Sequence, residues 1–353
     1  MIRSMFTAIS SLNLNQNYLD VISDNLANSN TTGFKSSRVV FQDQFAQIMN
    51  SGAAPSTTTG GINPTQIGLG VKIGYISPSF TQGMLQSTGR STDLAIQGNG
   101  FFIYAQGEEL RYSREGSLEI DANGYLVNNS SGMRIQGWSM LPGATAIDSN
   151  QPIGDIQITL DATLAQATSN IFVGGNLDST TAVGDSVDTT FGVYDSLGSL
   201  HTISVEFTRT ADNTWDFNFL TPPAGTTGAG TLTVDTDGAY VSHTLTTPIH
   251  VDGSAGADDI DLTTAAQLDL SNITMLDAAD SVAVRNQDGL PAGTVTDIYG
   301  APNTGEIYLV YSNGLKQLIG QLALAHFTNP AGLLRAGQNM FKEGLNSGDA
   351  QVG

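Results

Sequence analysis

The first thirty-four residues constrain this chain more than any other stretch. Ile2, Met5, Phe6, Ile9, Leu12, Leu19, Ile22 and Leu26 follow helical spacing, which puts them on one face of a helix. The other face is almost entirely Ser, Thr, Asn, Gln and Asp, which are mediocre helix formers, so this helix alone is marginal in water. A terminal helix that is weak alone and apolar on one side is expected to fold when it meets copies of itself. An ordinary helix packed on its own domain fits the same pattern. A secretory signal does not fit, because polar residues interrupt every apolar step, and a membrane-surface helix would carry more cations than Arg3.

The rest of the chain reads as β structure. Its 353 residues suffice for two or three domains, and forty Gly with abundant Thr, Ser and Asn fit an extracellular β-rich protein. No run of eighteen apolar residues suggests a membrane span, and zero Cys excludes disulfides, thiolate catalysis and cysteine zinc sites. Charge is unevenly placed. Residues 146–282 hold nineteen Asp and Glu against Arg209 alone, a net of −18, whereas the remainder, fourteen against twelve, nets −2. A block so acidic is expected to be an outward, solvated domain inserted into a nearly neutral one, and it argues against nucleic-acid binding.

Residues 35–70 read as a Ser/Thr/Gly/Pro-rich connector after a short helical piece around Val39 to Met49. From Val71 the pattern is strands and tight turns. Turn signals stand at Gly98-Asn-Gly100 and Asn123-Gly124, at Ser196 to Ser199, at Asp235-Thr-Asp-Gly238 and at Asn313-Gly314. Trp215 reads as a core anchor.

Three groups of residues carry a resemblance. Asn25-Leu-Ala-Asn28 followed by Thr31-Thr-Gly-Phe-Lys35 closes the amphipathic helix. Asp93-Leu-Ala-Ile96 and Tyr112-Ser-Arg-Glu-Gly-Ser117 come next, and then Tyr194-Asp-Ser-Leu-Gly198 inside the acidic block. In this order they resemble the bacterial flagellar rod and hook family, and the last motif with the chain length favours hook over rod. The resemblance implies a mainly β protein with an N-terminal amphipathic helix. Its expected parts are an assembly helix and turn (1–34), a connector (35–70), a discontinuous inner β-domain (71–145 plus 283–353) and an acidic outer β-domain (146–282). It implies a structural homopolymer: a curved, flexible tube that passes motor torque from rod to filament. The partners it implies are other copies, rod, hook-cap and hook-filament junction proteins and the type III export apparatus. It also implies an extracellular place in the flagellum, reached without a cleaved signal peptide. Assembly falls to Ile2, Met5, Phe6, Ile9, Leu12, Leu19, Ile22 and Leu26. The family motif is Asn25, Leu26, Ala27, Asn28, Thr31, Thr32, Gly33, Phe34 and Lys35. A second amphipathic helix is expected after Glu343 by the same resemblance, and residues 344–353 do not contain it.

Outside the family, a glycan-binding or adhesive β-module is the rival, and it expects exposed Trp or Tyr in a shallow site. No catalytic, cofactor or metal site is expected. His201, His243, His250 and His326 are scattered without ligand spacing, and each reads as a strand or surface residue. Asp235-Thr-Asp-Gly238 opens like a calcium loop, but Thr246 stands at the closing position. Asp258-Asp-Ile-Asp261 reads as a solvated cluster, with a loose cation site as the lesser alternative.

Overall fold

A computed structural model describes residues 2–141, 146–220 and 226–353 of the chain, with the side chains of Ile2 and Arg3 excluded. Among the described residues there is one long helix, Ile2–Ala27, and the rest is mainly strand, with 3-10 turns at Ala265–Gln267 and Pro330–Gly332. The chain forms two compact units, each discontinuous: Met1–Ile158 with Ile298–Tyr308 and Leu318–Gly353, and Thr159–Asp297 with Leu309–Gln317.

The first unit is organised on Phe101–Gln106, whose run Phe-Phe-Ile-Tyr-Ala is buried on both faces. It pairs antiparallel with Glu109–Ser113 and with Arg134–Ser139, and the strand Met340–Lys342 adds to Glu109–Ser113 on its other side. Aromatic edges fill the core, with Tyr112 and Phe327 centroids 4.8 Å apart and Phe80 and Phe101 5.3 Å apart. Gly98 and Gly100 sit at positive φ just before the central strand, so this turn starts the strand rather than splitting one. The segment ahead of it, from Asp93, is held by a single bridge to Ser117.

Residues 39–49 are not helical. Ser37–Asp43 and Ala46–Asn50 are strands, the first paired with Val71–Pro78 and the second with Thr65–Gly68. The β-branched and aromatic run Val39-Val-Phe41 has a partner strand to pair with and buries Val39, and this overrides the helical spacing of the apolar residues.

In the second unit a six-stranded antiparallel sheet runs in chain order: Ser186–Tyr194, Leu200–Ala211, Thr214–Leu220, Thr227–Val234, Tyr240–Val251 and Ile260–Leu262. A three-stranded sheet places Ile171–Asp178 between Leu268–Leu276 and Ala283–Gln287. Residues from both sheets share one core around Trp215, Phe191, Phe207 and Phe217. Trp215 is fully enclosed, and its Nε1 donates to the Met275 sulfur at 3.4 Å. This unit holds nineteen Asp and Glu against three Lys and Arg, so it carries most of the chain's net charge.

One turn chemistry recurs. At Asp121, Asp195 and Asp235 the carboxylate accepts from the backbone N–H groups two and four residues on, at 2.7 to 3.0 Å, with a glycine at positive φ three residues on. The aspartate supplies acceptors for turn amides that have no ladder partner, and the glycine takes the left-handed position without a Cβ penalty. Asp235-Thr-Asp-Gly238 is therefore a hairpin turn.

Candidate assembly surface

The N-terminal helix presents two faces. Leu14 is buried and Thr7, Ser10, Val21, Asn25 and Asn28 are half-buried, a stripe at three-, four- and seven-residue steps. This side lies along the Ser37–Asp43 and Val71–Pro78 strands, where Tyr18 meets Phe41 edge-on at 5.6 Å. At Gly70 the backbone comes so near that an added Cβ would stand 2.8 Å from the Ser10 hydroxyl. The apolar stripe points the other way. Phe6 is 63% exposed, Leu12 69%, Leu19 60% and Leu26 73%, and Met5, Ile9 and Ile22 are exposed beside them. Ile2 opens the helix, with its side chain outside the described residues. Within this stripe Met5, Leu12, Leu19 and Leu26 recur every seven residues, the spacing of a seam between helices.

Helical periodicity cannot tell which face the chain itself covers. Here the covered face is a mixed one: Leu14, Tyr18 and Val21 supply its apolar contact, Ser10 allows close approach to the hairpin, and Asn25 finds backbone partners on Ser37. The helix runs over Ile2–Ala27 along the strands beneath it. The hairpin beneath it supplies tertiary support that the isolated sequence lacks.

The family motif is what ends and fastens the helix. The Asn25 side chain donates to the Ser37 carbonyl and accepts from the Ser37 N–H, both at 2.8 Å. Asn28 Nδ2 donates to the Asp24 carbonyl at 2.9 Å, and the Thr31 hydroxyl donates to Asn28 Oδ1 at 3.2 Å. Gly33 adopts φ +73°, and a Cβ there would lie 2.8 Å from the Glu115 backbone nitrogen. Only glycine meets both requirements at that bend. Lys35 Nζ reaches the Thr81 carbonyl at 2.8 Å. Ala27 and Leu26 stay exposed, so Leu26 belongs to the stripe as well as the motif.

Two residues that sequence reasoning missed, Arg335 and Asn339, complete this anchor. The Arg335 guanidinium lies over the Phe34 ring at 5.2 Å and donates to Asp24 Oδ2 at 3.1 Å and to the Lys35 carbonyl at 2.8 Å. Asn339 Nδ2 donates to the Thr32 carbonyl at 3.0 Å. Asn339 and Gln338 both have positive φ and form the two-residue turn joining Leu334–Gly337 to Met340–Lys342. Glu115 is buried below the bend, and that burial raises its carboxyl pKa. Burial, followed by the nearby Arg114 charge, lowers that of Lys35.

The histidines all lie in strands. Asp195, fully buried, accepts from His201 Nε2 at 2.9 Å and from the Ser254 N–H at 3.0 Å, while the Ser254 hydroxyl stands 3.4 Å from the same Nε2. Serine and aspartate meet on one ring nitrogen, so the ring cannot relay a proton between them. The group staples the 253–258 loop to the Asp195 turn. Burial pushes the Asp195 carboxyl up, but the bonds from His201, Ser254 and Ser199 outweigh it and hold the group far below the usual carboxylate range. Among the described residues, His250, Asp252 and Asp259 bring polar atoms within 4.8 Å of one another. Both ring nitrogens of His250 face carboxylates, Nδ1 that of Asp261 and Nε2 that of Asp252.

Family models match three stretches of this chain. One described as "Flagella basal body rod protein" matches residues 5–35, one described as "Flagellar hook protein FlgE/F/G D1 domain" matches 95–175, and one described as "Flagellar basal body protein FlaE D2 domain" matches 159–290. The Treponema pallidum protein named flagellar hook protein FlgE is 35% identical over 100% of this chain and 87% of its own length. Its Borreliella burgdorferi namesake is 33% identical over the same shares. A Bacillus subtilis flagellar basal-body rod protein FlgG is 45% identical, but over 36% of this chain and 48% of its own.

Proposed function

The chain belongs to the flagellar hook protein family, and we propose that the outward stripe of its N-terminal helix is the surface through which copies join into the hook. It is a structural subunit of the flagellar hook. The observation that carries the assembly reading is that Met5, Phe6, Ile9, Leu12, Leu19, Ile22 and Leu26 are exposed together on a helix whose other side is occupied. Burying such side chains against a sister molecule contributes on the order of 1.5–3 kcal/mol each when complete. In this reading the helices line the central channel, the first unit forms the wall, and the acidic second unit faces the medium. Outer contacts that are polar and wet exchange through water as the tube bends. The motif from Asn25 to Lys35 sets the direction in which the stripe points. The rod, hook-cap and junction proteins and the export apparatus are the further partners the family suggests.

Two features favour this over the rivals. The rod-protein relative matches about a third of the chain, whereas hook relatives match all of it, including the acidic unit. The chain's two Trp residues, Trp138 and Trp215, are buried, so the adhesive reading is left with the exposed Tyr18, Tyr75 and Tyr299 and has no exposed indole. Electron microscopy of the purified protein over a concentration series tests the assembly reading. Tubes or ordered protofilaments are expected. Dispersed monomers at every concentration, with the stripe packed inside the subunit, would overturn it.

A further inference from the structure

In the second unit, the loop 252–259 and the edge strand Ile260–Leu262 close one side of the six-stranded sheet. The edge strand has three ladder pairs, and its Ile260 and Leu262 fill the core. His250 lies directly opposite Asp261 on that strand. Its Nδ1 stands 2.6 Å from Asp261 Oδ1, and its Nε2 3.0 Å from Asp252 Oδ1. Asp259 lies in the same cluster and accepts from the Gly253 N–H at 3.0 Å. On the other side of His250 the paired residue is Thr227, which carries no charge. At its far end the loop is held by the Asp195–His201–Ser254 group and by Ser196, whose hydroxyl accepts from the Asp258 N–H at 2.7 Å.

A neutral imidazole has one N–H and one lone pair. With a carboxylate in front of each nitrogen, only the doubly protonated ring satisfies both. The neutral ring would turn a lone pair toward an anion and leave Asp252, Asp259 and Asp261 without a compensating cation.

We propose that the His250 imidazolium is a proton-operated clasp that ties the 252–259 loop to the Ile260–Leu262 edge strand and releases both when rising pH strips its second ring proton. Its hydrogen bond to Asp261 comes first among the causes that raise the histidine pKa above 6.5, with Asp252 adding to it. A group whose folded pKa is raised contributes stability that is complete below the unfolded value and lost as pH rises through the folded one. The clasp therefore holds in full below the ordinary histidine value of 6.5 and opens as pH rises through the raised folded value. Opening bares one sheet edge and loosens the cover over Ile260 and Leu262, on an acidic unit that gains further negative charge in the same step.

The test uses the whole protein. Ring-nitrogen NMR of His250 at pH 6.5 is expected to show both nitrogens protonated. Amide exchange of 252–262, corrected for the intrinsic pH dependence, is expected to rise at least threefold as His250 titrates. Asp261→Asn is expected to move the midpoints of titration and loosening together to lower pH, and His250→Gln to leave the segment loose at every pH. Asp252→Asn gives the same joint shift should Asp261→Asn not fold. A single neutral tautomer at pH 6.5 would overturn the proposal. So would loosening that follows His201 and ignores Asp261→Asn, or stoichiometric Zn²⁺ retention that restores protection at high pH.

Discussion

Replacing Gly33 by Ala should unfasten the N-terminal helix, and the structure sets the size of the effect. At φ +73° an alanine takes on a left-handed cost of about 1–2 kcal/mol. Its Cβ would also stand 2.8 Å from the Glu115 nitrogen and 3.0 Å from the Glu115 Cα and Cβ, and these cannot swing aside like the end of a flexible side chain. Crowding of this kind costs about 1–3 kcal/mol, so the two together come to about 2–5 kcal/mol. Against this stand the two Asn25–Ser37 bonds, the Asn339–Thr32 bond and the Arg335–Lys35 bond, each contributing about 0.5–1.5 kcal/mol net. Strain and anchor are of one size, so the bend opens without the subunit unfolding. Amide exchange at residues 25–37 should accelerate about tenfold for each 1.4 kcal/mol. Gly89→Ala is the control, since φ there is +75° and no atom lies within 4 Å of the added carbon. If Gly33→Ala perturbs its neighbourhood no more than Gly89→Ala does, the close approach to Glu115 is not what fixes the bend.

Other outcomes follow from the same geometry. Phe6→Ser, Leu12→Ser and Leu19→Ser combined should leave circular dichroism and melting of the dispersed subunit nearly unchanged, because these side chains are exposed, while ordered polymers disappear from electron micrographs. Asn25→Ala should cost about 1–3 kcal/mol locally by leaving the Ser37 N–H and carbonyl without their partner, seen as faster proteolysis between the helix and the first strand. Asp195→Ala should destabilise the second unit by about 2–4 kcal/mol, read from Trp215 fluorescence in a Trp138→Phe background. Asp195 also sets an acid limit. A carboxyl held low in the folded state contributes stability above the unfolded pKa near 3.8 and loses it as pH falls further. Denaturant midpoints of the second unit should therefore drop below about pH 4, less steeply in Asp195→Asn.

The helix and the hairpin turns were legible because each depends on residues near one another in sequence. Asn123-Gly124 and Asp235-Thr-Asp-Gly238 announce turns through their own side-chain bonds, and the spacing of Phe6, Ile9 and Leu12 announces a helix face. The run from Val39 to Met49 misled because its apolar spacing suits a helix, whereas its structure is decided by two strands further along the chain, Thr65–Gly68 and Val71–Pro78. Arg335 and Asn339 left no local trace, since nothing beside them points to residues 24–35. A hint did exist in Gln338-Asn339, a polar pair after Gly337 at the tip of a turn, where an Asn tolerates positive φ and has an amide to spare. The orientation of the helix was the least legible feature. Periodicity separates two faces, and only the hairpin underneath decides which is covered.

Asp24 and Arg335 are 311 residues apart, yet they meet at the base of the helix. A molecule that lacks the Leu334–Gly337 strand keeps the hairpin under the helix and the Asn25–Ser37 bonds, but loses the guanidinium over Phe34 that pins the bend. The base of a helix made at the start of the sequence is thus held by strands that come more than three hundred residues later.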